Sequence, residues 1–112
     1  MKKDEAVSRY ADMFGALGSE QRLTIVRLLL AAHPDGMVVN ELQEELEIAG
    51  PNLSHHLEKL RNEELVEVVR EGTFLRYRAN TTTLQDLLGF LYAECCTRNR
   101  VIAGKEIVRI CQ

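Results

Sequence analysis

A mainly α fold with a small β-hairpin is what this chain predicts, and three observations predict it. Of its 112 residues 46% are apolar but only 5% aromatic, which suits a helical core of Leu, Val and Ile in one domain spanning residues 1–112. Two short amphipathic segments, Val39 to Leu46 and the stretch that starts at Gly50, meet at a tight turn. A basic run bent about Gly72 follows at once. Two helices joined by about four residues containing Gly form a helix-turn-helix, and a charged hairpin behind them makes it a winged one. The whole order reads α-α-(β)-α-α-β-β-α.

In chain order, Val7, Tyr10, Ala11, Phe14 and Leu17 recur at helical spacing and form an apolar stripe on a first helix. Val39 to Leu46 is a two-turn helix whose Val39, Leu42 and Leu46 face the core, and Glu47 to Gly50 make the turn. The next helix begins near Gly50. Pro51 suits a first helical position, since its missing N–H would lack an intrahelical partner there and its ring presets φ. Leu53, Leu57 and Leu60 form its buried stripe, which leaves Asn52, Ser54, His55, His56, Lys59 and Arg61 on the outer surface. Such side chains bond base edges and phosphates, and a major groove admits one helix presenting its N-terminal part. Ser54, His55 and His56 are the expected base readers, with Lys59, Arg61 and Arg70 nearer phosphates.

Val66 to Glu71 and Phe74 to Arg78 are strand-like, and Gly72 supplies the positive φ that a hairpin needs at Glu71-Gly72-Thr73. Arg70, Arg76 and Arg78 place positive charge along this hairpin, and Thr73 at its tip joins the expected DNA contacts, against phosphates or a minor groove. The polar run Asn80-Thr81-Thr82-Thr83 is the clearest junction in the chain. Thr83 is expected to cap a last helix from Leu84, with Asp86 completing a box-like pattern. Leu84, Leu87, Leu88, Leu91 and Cys95 share one stripe of that helix. A domain this small fills its core with the central helices. The spare apolar faces of the two terminal helices therefore predict a homodimer.

A net charge of −3 argues weakly against nucleic acid, because Lys and Arg supply most non-specific affinity for phosphates. Local charge matters more. Acids group at Glu41, Glu44, Glu45 and Glu47, while bases gather at Lys59, Arg61, Arg70, Arg76 and Arg78. No stretch approaches the length of a membrane span and the first residues are charged, so a cytoplasmic protein without a membrane partner is expected. An enzyme is not expected: there is no Gly-rich phosphate loop, no acid–base constellation, and no His close to Cys95 in sequence.

Cys95 and Cys96 are adjacent and Cys111 stands one residue from the end. In a cytosolic setting three thiols invite a metal, redox or purely structural reading. Neighbouring helical residues point about 100° apart, so Cys95 and Cys96 can face one ion only where the helix frays or ends. Soft thiolates select thiophilic ions, and three sulfurs without a fourth ligand suit trivalent arsenic or antimony better than zinc. Thiol redox sensing, or another soft ion such as cadmium, lead or mercury, is the alternative.

The segment NLSHHLEKLRNEELVEVVREGTFLRYR resembles the recognition helix and wing of the ArsR/SmtB family of bacterial metal-responsive repressors. Met13-Phe14-Gly15-Ala16-Leu17-Gly18-Ser19-Glu20-Gln21-Arg22-Leu23 is similar to the family's approach to its second helix, which runs on through Leu30. The resemblance implies a small homodimer on a palindromic double-stranded operator, released when an effector binds. Glu94-Cys95-Cys96 resembles the arsenite-sensing branch with a vicinal cysteine pair on the C-terminal helix. The family's zinc sensors carry Asp and several His on that helix, whereas here Asp86 has no His beside it from Leu84 to Val101. Cys95, Cys96 and Cys111 are the expected ligands of As(III) or Sb(III), although Cys111 lies farther from the pair than the third thiol of that branch.

Overall fold

From the N-terminus the elements are α1 (Glu5–Leu17), α2 (Glu20–Ala31), β1 (Met37–Val38), α3 (Val39–Leu46), α4 (Gly50–Asn62), β2 (Val66–Glu71), β3 (Phe74–Ala79) and α5 (Thr81–Tyr92). They are seen in a computed structural model that describes residues 4–99. The order is that of a winged helix-turn-helix. Its hairpin is not alone: β1 adds to the free edge of β3, giving an antiparallel sheet of order β1-β3-β2. Met37 pairs with Tyr77 and Val38 with Arg76.

The starts of α1 to α4 have local causes. The Asp4 carboxylate accepts from the N–H groups of Ala6 and Val7 at 2.9 and 3.4 Å, and the Ser19 hydroxyl accepts from Arg22 N–H at 3.4 Å. At α3 the Glu41 carboxylate reaches back to the N–H of Val38 at 3.0 Å. Pro51 occupies the first turn of α4, as its ring geometry requires. The end of α4 is closed by two reversed bonds, Leu65 N–H to Leu60 O at 3.0 Å and Glu64 N–H to Arg61 O at 2.9 Å. Glu64 itself takes the left-handed conformation, φ 61°, that such a terminus needs. In the hairpin, Gly72 is left-handed (φ 60°) and Thr73 is not, the pattern of a two-residue turn whose first position demands glycine.

The chain divides at Thr81 and Thr82 into two units, inside the polar run that marks the junction in sequence. In the first, α1 packs on α2 and α4, α4 on β2, and α2 and α3 on β3. Met13, Ile25, Leu29, Leu42, Leu53, Leu57, Leu60 and Leu65 are the fully buried side chains of this core. Leu53, Leu57 and Leu60 thus bury the stripe that their spacing predicts, and the opposite face of α4 is left to solvent.

The second unit departs from expectation at its start. Helix α5 begins at Thr81, so Thr83 lies inside it and is buried rather than capping it. The cause is the sheet. The Ala79–Val66 pair and the bond from Asn80 N–H to Leu65 O at 3.0 Å hold the chain up to Asn80, and the helix starts at the next residue. Tertiary constraint here outweighs the low helix propensity of three threonines. The helix ends at Tyr92. Turns of i to i+3 type follow, among them Cys95 N–H to Tyr92 O at 2.9 Å and Asn99 N–H to Cys96 O at 3.0 Å. Among the described residues no helix is long and apolar enough to cross a membrane.

Candidate nucleic-acid interface and thiol pair

Helix α4 presents Asn52, Ser54, His55, Lys59 and Arg61 as exposed side chains. His56 is different. It is half-buried on the flank of the helix, where its Nδ1 lies 3.3 Å from Arg22 Nη1. Arg22 is itself anchored, its Nε donating to the Ala16 carbonyl at 2.6 Å. Burial lowers the His56 pKa below the ordinary histidine range, and Arg22, then His55 and Lys59, add to the effect by repulsion. Sequence reasoning missed Arg22. A signal exists: a cation in the first turn of a helix opposes the dipole, so an arginine there calls for another partner. It missed Glu58 too, an exposed carboxylate on the same helix, of the type that accepts from cytosine N4.

The hairpin carries less free charge than its arginines suggest. Arg76 Nε donates to the Glu71 carboxylate at 2.9 Å, which raises the Arg76 pKa, and Arg78 lies 3.7 Å from the Glu67 carboxylate directly across the ladder. Arg70 and Thr73 are exposed, and Arg70 makes no ion pair among the described residues. Phe74, 53% exposed, sits next to Thr73 at the tip and gives the hairpin an apolar element that charge-based reading passes over.

Helix α4 and the hairpin thus carry exposed hydrogen-bonding side chains and exposed cations, the residue types that contact bases and phosphates. These cations are Lys59, Arg61 and Arg70. The acidic residues Glu41, Glu44, Glu45 and Glu47 lie on or just after α3 instead.

Past the end of α5, the sulfurs of Cys95 and Cys96 stand 3.6 Å apart, both half-buried. This is well beyond a disulfide bond of about 2.05 Å. With sulfur about 2.3 Å from a shared ion, as for zinc, the separation corresponds to an angle of roughly 100° at that ion. The pair converges because the helix has ended at Tyr92 and Cys96 is left-handed, φ 60°. The hydrogen bond with Cys95, and then burial, raise the Cys96 thiol pKa above its ordinary value. The sulfur separation is one that two ligands of a single ion would have, while the raised pKa favours the protonated thiol. No group of three or more His, Cys, Asp or Glu suited to a metal occurs among the described residues, and Cys111, the third expected ligand, lies outside them.

Comparison with known proteins bears on the fold and the family. A family model described as a helix-turn-helix domain matches residues 17–69. The chain is 32% identical to the transcriptional repressor SdpR of Bacillus subtilis over 71% of its own length and 86% of SdpR. It is 31% identical to the transcriptional activator HlyU of Vibrio cholerae over 76% of each chain. Among solved structures, an ArsR-like transcriptional regulator from Rhodococcus sp. RHA1 superposes with a TM-score of 0.74 at 25% identity, covering 94% of this chain and 96% of that one.

Proposed function

We propose, from the premise that this chain belongs to the ArsR family of helix-turn-helix transcriptional regulators, that it is a homodimeric repressor released from a palindromic operator by trivalent arsenic or antimony. The family membership makes it a DNA-binding regulator and not an enzyme. The convergent Cys95–Cys96 pair is the observation that carries the choice of effector. Arsenous acid exchanges hydroxyl groups for the two thiols, forming two As–S bonds and releasing two waters, and Cys111 is the proposed third ligand. Ligation at the chain's C-terminal part and operator binding at α4 oppose each other through the dimer. Coupling of this kind is typically about 1–3 kcal/mol, a 5- to 150-fold change in affinity. The repressor sense is shared with SdpR by name; HlyU, named an activator, supplies the contrary outcome.

The test is a fluorescent operator fragment, obtained by in vitro selection and titrated with arsenite, antimonite, cadmium and peroxide. The protein should bind it and arsenite should release it. Ser54→Ala with His55→Ala should weaken operator binding by about 10- to 100-fold, as loss of polar base contacts does. Cys95→Ser with Cys96→Ser should bind DNA normally but ignore arsenite; release that survives this double change overturns the effector. Cadmium must displace the thiol protons, so any cadmium response should weaken as pH falls below the raised Cys96 range. The arsenite exchange takes up no net proton and should hold its affinity. Release by peroxide or cadmium alone would move the protein to oxidant or cation sensing.

A further inference from the structure

The Arg22 guanidinium is tied at two points, its Nε to the Ala16 carbonyl at 2.6 Å and its Nη1 to His56 Nδ1 at 3.3 Å. A guanidinium keeps its proton and has donors only. Nδ1 of His56 must therefore be the acceptor, and the single proton of the neutral ring sits on Nε2. We propose that Arg22 is a positioning residue that holds His56 of the recognition helix as an Nε2–H donor, so that this ring reads an acceptor on DNA. This rests on the reading of α4 as the DNA-binding helix.

The surroundings favour that state. Arg22 faces the ring from α2, and His55 and Lys59 from its own helix, and each of these disfavours a second proton on His56. The carboxylates of Asp12 and Glu63 border the neighbouring groove with Arg22 and Lys59. Ala16 is at the end of α1, so the guanidinium spans α1, α2 and α4 and its direction is set by the packing of all three. A histidine free to change tautomer could present either a donor or an acceptor outward. One locked by Arg22 presents a donor alone, which suits guanine N7 or O6, adenine N7 or a phosphate oxygen and rejects the amino groups of cytosine and adenine.

The experiment joins nuclear magnetic resonance of the histidine ring nitrogens in the full-length protein with operator titration. Wild type should show His56 as one Nε2–H tautomer at neutral pH, with a titration midpoint below that of a free histidine. Arg22→Met should bring tautomer exchange, a midpoint that rises but stays below the ordinary range because burial is the larger cause, and operator affinity lower by about 5- to 10-fold, the low end for one polar base contact. Arg22→Lys, which keeps the charge and loses the fork, should show the same exchange and covers the case that the Met variant is unstable. His56→Gln carries a permanent donor near the Nε2 position; it should bind within about threefold of wild type, and Arg22→Met should add nothing to it. An Nδ1–H tautomer in wild type, an absence of tautomer exchange in both Arg22 variants, or an equal loss of affinity in the Gln background overturns the proposal. Loss confined to one base pair of the operator identifies a base acceptor, while uniform loss with a shallower salt dependence identifies a phosphate. If wild type shows the tautomer but shifts no DNA, the reading of α4 fails and the DNA acceptor with it, while the Arg22–His56 geometry stands.

Discussion

Single residues show most sharply where backbone and site geometry depend on one side chain or on its absence. Gly36 is buried with φ +74°, and a Cβ there would collide with the Tyr77 carbonyl oxygen and the Arg78 Cγ across the β1–β3 approach. Gly36→Ala should therefore cost about 2–3 kcal/mol of stability, read as a lower denaturant midpoint. Gly72 has a similar φ of +60° but nothing within 4 Å of an added Cβ, so Gly72→Ala should cost only about 1 kcal/mol. Equal losses at the two positions would refute the role of close approach at Gly36. The roles of Pro51 and Gly72 were legible in sequence, since ring geometry and a hairpin turn each leave a local mark. Those of Gly36 and Arg22 were not, because the atoms they meet belong to residues distant in the chain.

At the scale of elements, the proposed DNA binding is divided between α4 and the hairpin. Leu53, Leu57 and Leu60 bury one face of α4 in the core, and the exposed polar face is what remains. Among the described residues the hairpin has Arg70 without an ion pair and two arginines engaged by Glu71 and Glu67. Replacing Arg70 by Gln should reduce the slope of log affinity against log salt by about 1, as loss of one phosphate contact does. Arg76→Gln should change it by less, because Glu71 already offsets that charge. Equal slopes for the two variants in salt titrations of operator binding would mean that the Glu71–Arg76 pair opens on DNA. The strands and turn were readable from alternation and from Gly72. The ion pairs were not, since register alone sets Glu67 opposite Arg78. The start of α5 was misplaced for a related reason: the three threonines look like a loop locally, and the bond from Asn80 to Leu65 overrides them.

For the whole molecule, both terminal helices carry large apolar side chains that are exposed. On α1, Met13 and Ala16 are buried while Val7 and Phe14 remain 51% and 37% exposed; on α5, Leu87 is buried while Leu88 and Leu91 are 43% and 60% exposed. Each helix thus has some apolar side chains buried and others turned to solvent, as the proposed dimer requires. Leu88→Glu with Leu91→Glu should give a monomer in analytical ultracentrifugation. Operator affinity should then fall by at least about 100-fold, because one half-site no longer assists the other. A variant that remains dimeric would remove α5 from the proposed interface.

The sequence by itself determined the winged helix-turn-helix, the polar-faced helix α4 and the vicinal thiols, because helical periodicity, turn chemistry and adjacency are all short-range properties. Tertiary structure alone decided that β1 joins the hairpin, that Arg22 grips His56, and that Glu67 and Glu71 neutralise two of the wing's cations. It also brought the Cys95 and Cys96 sulfurs to one side by ending α5 before them. Each of these depends on where separate stretches of chain are brought together or where a helix is made to stop. No periodicity encodes that, since it is set by packing.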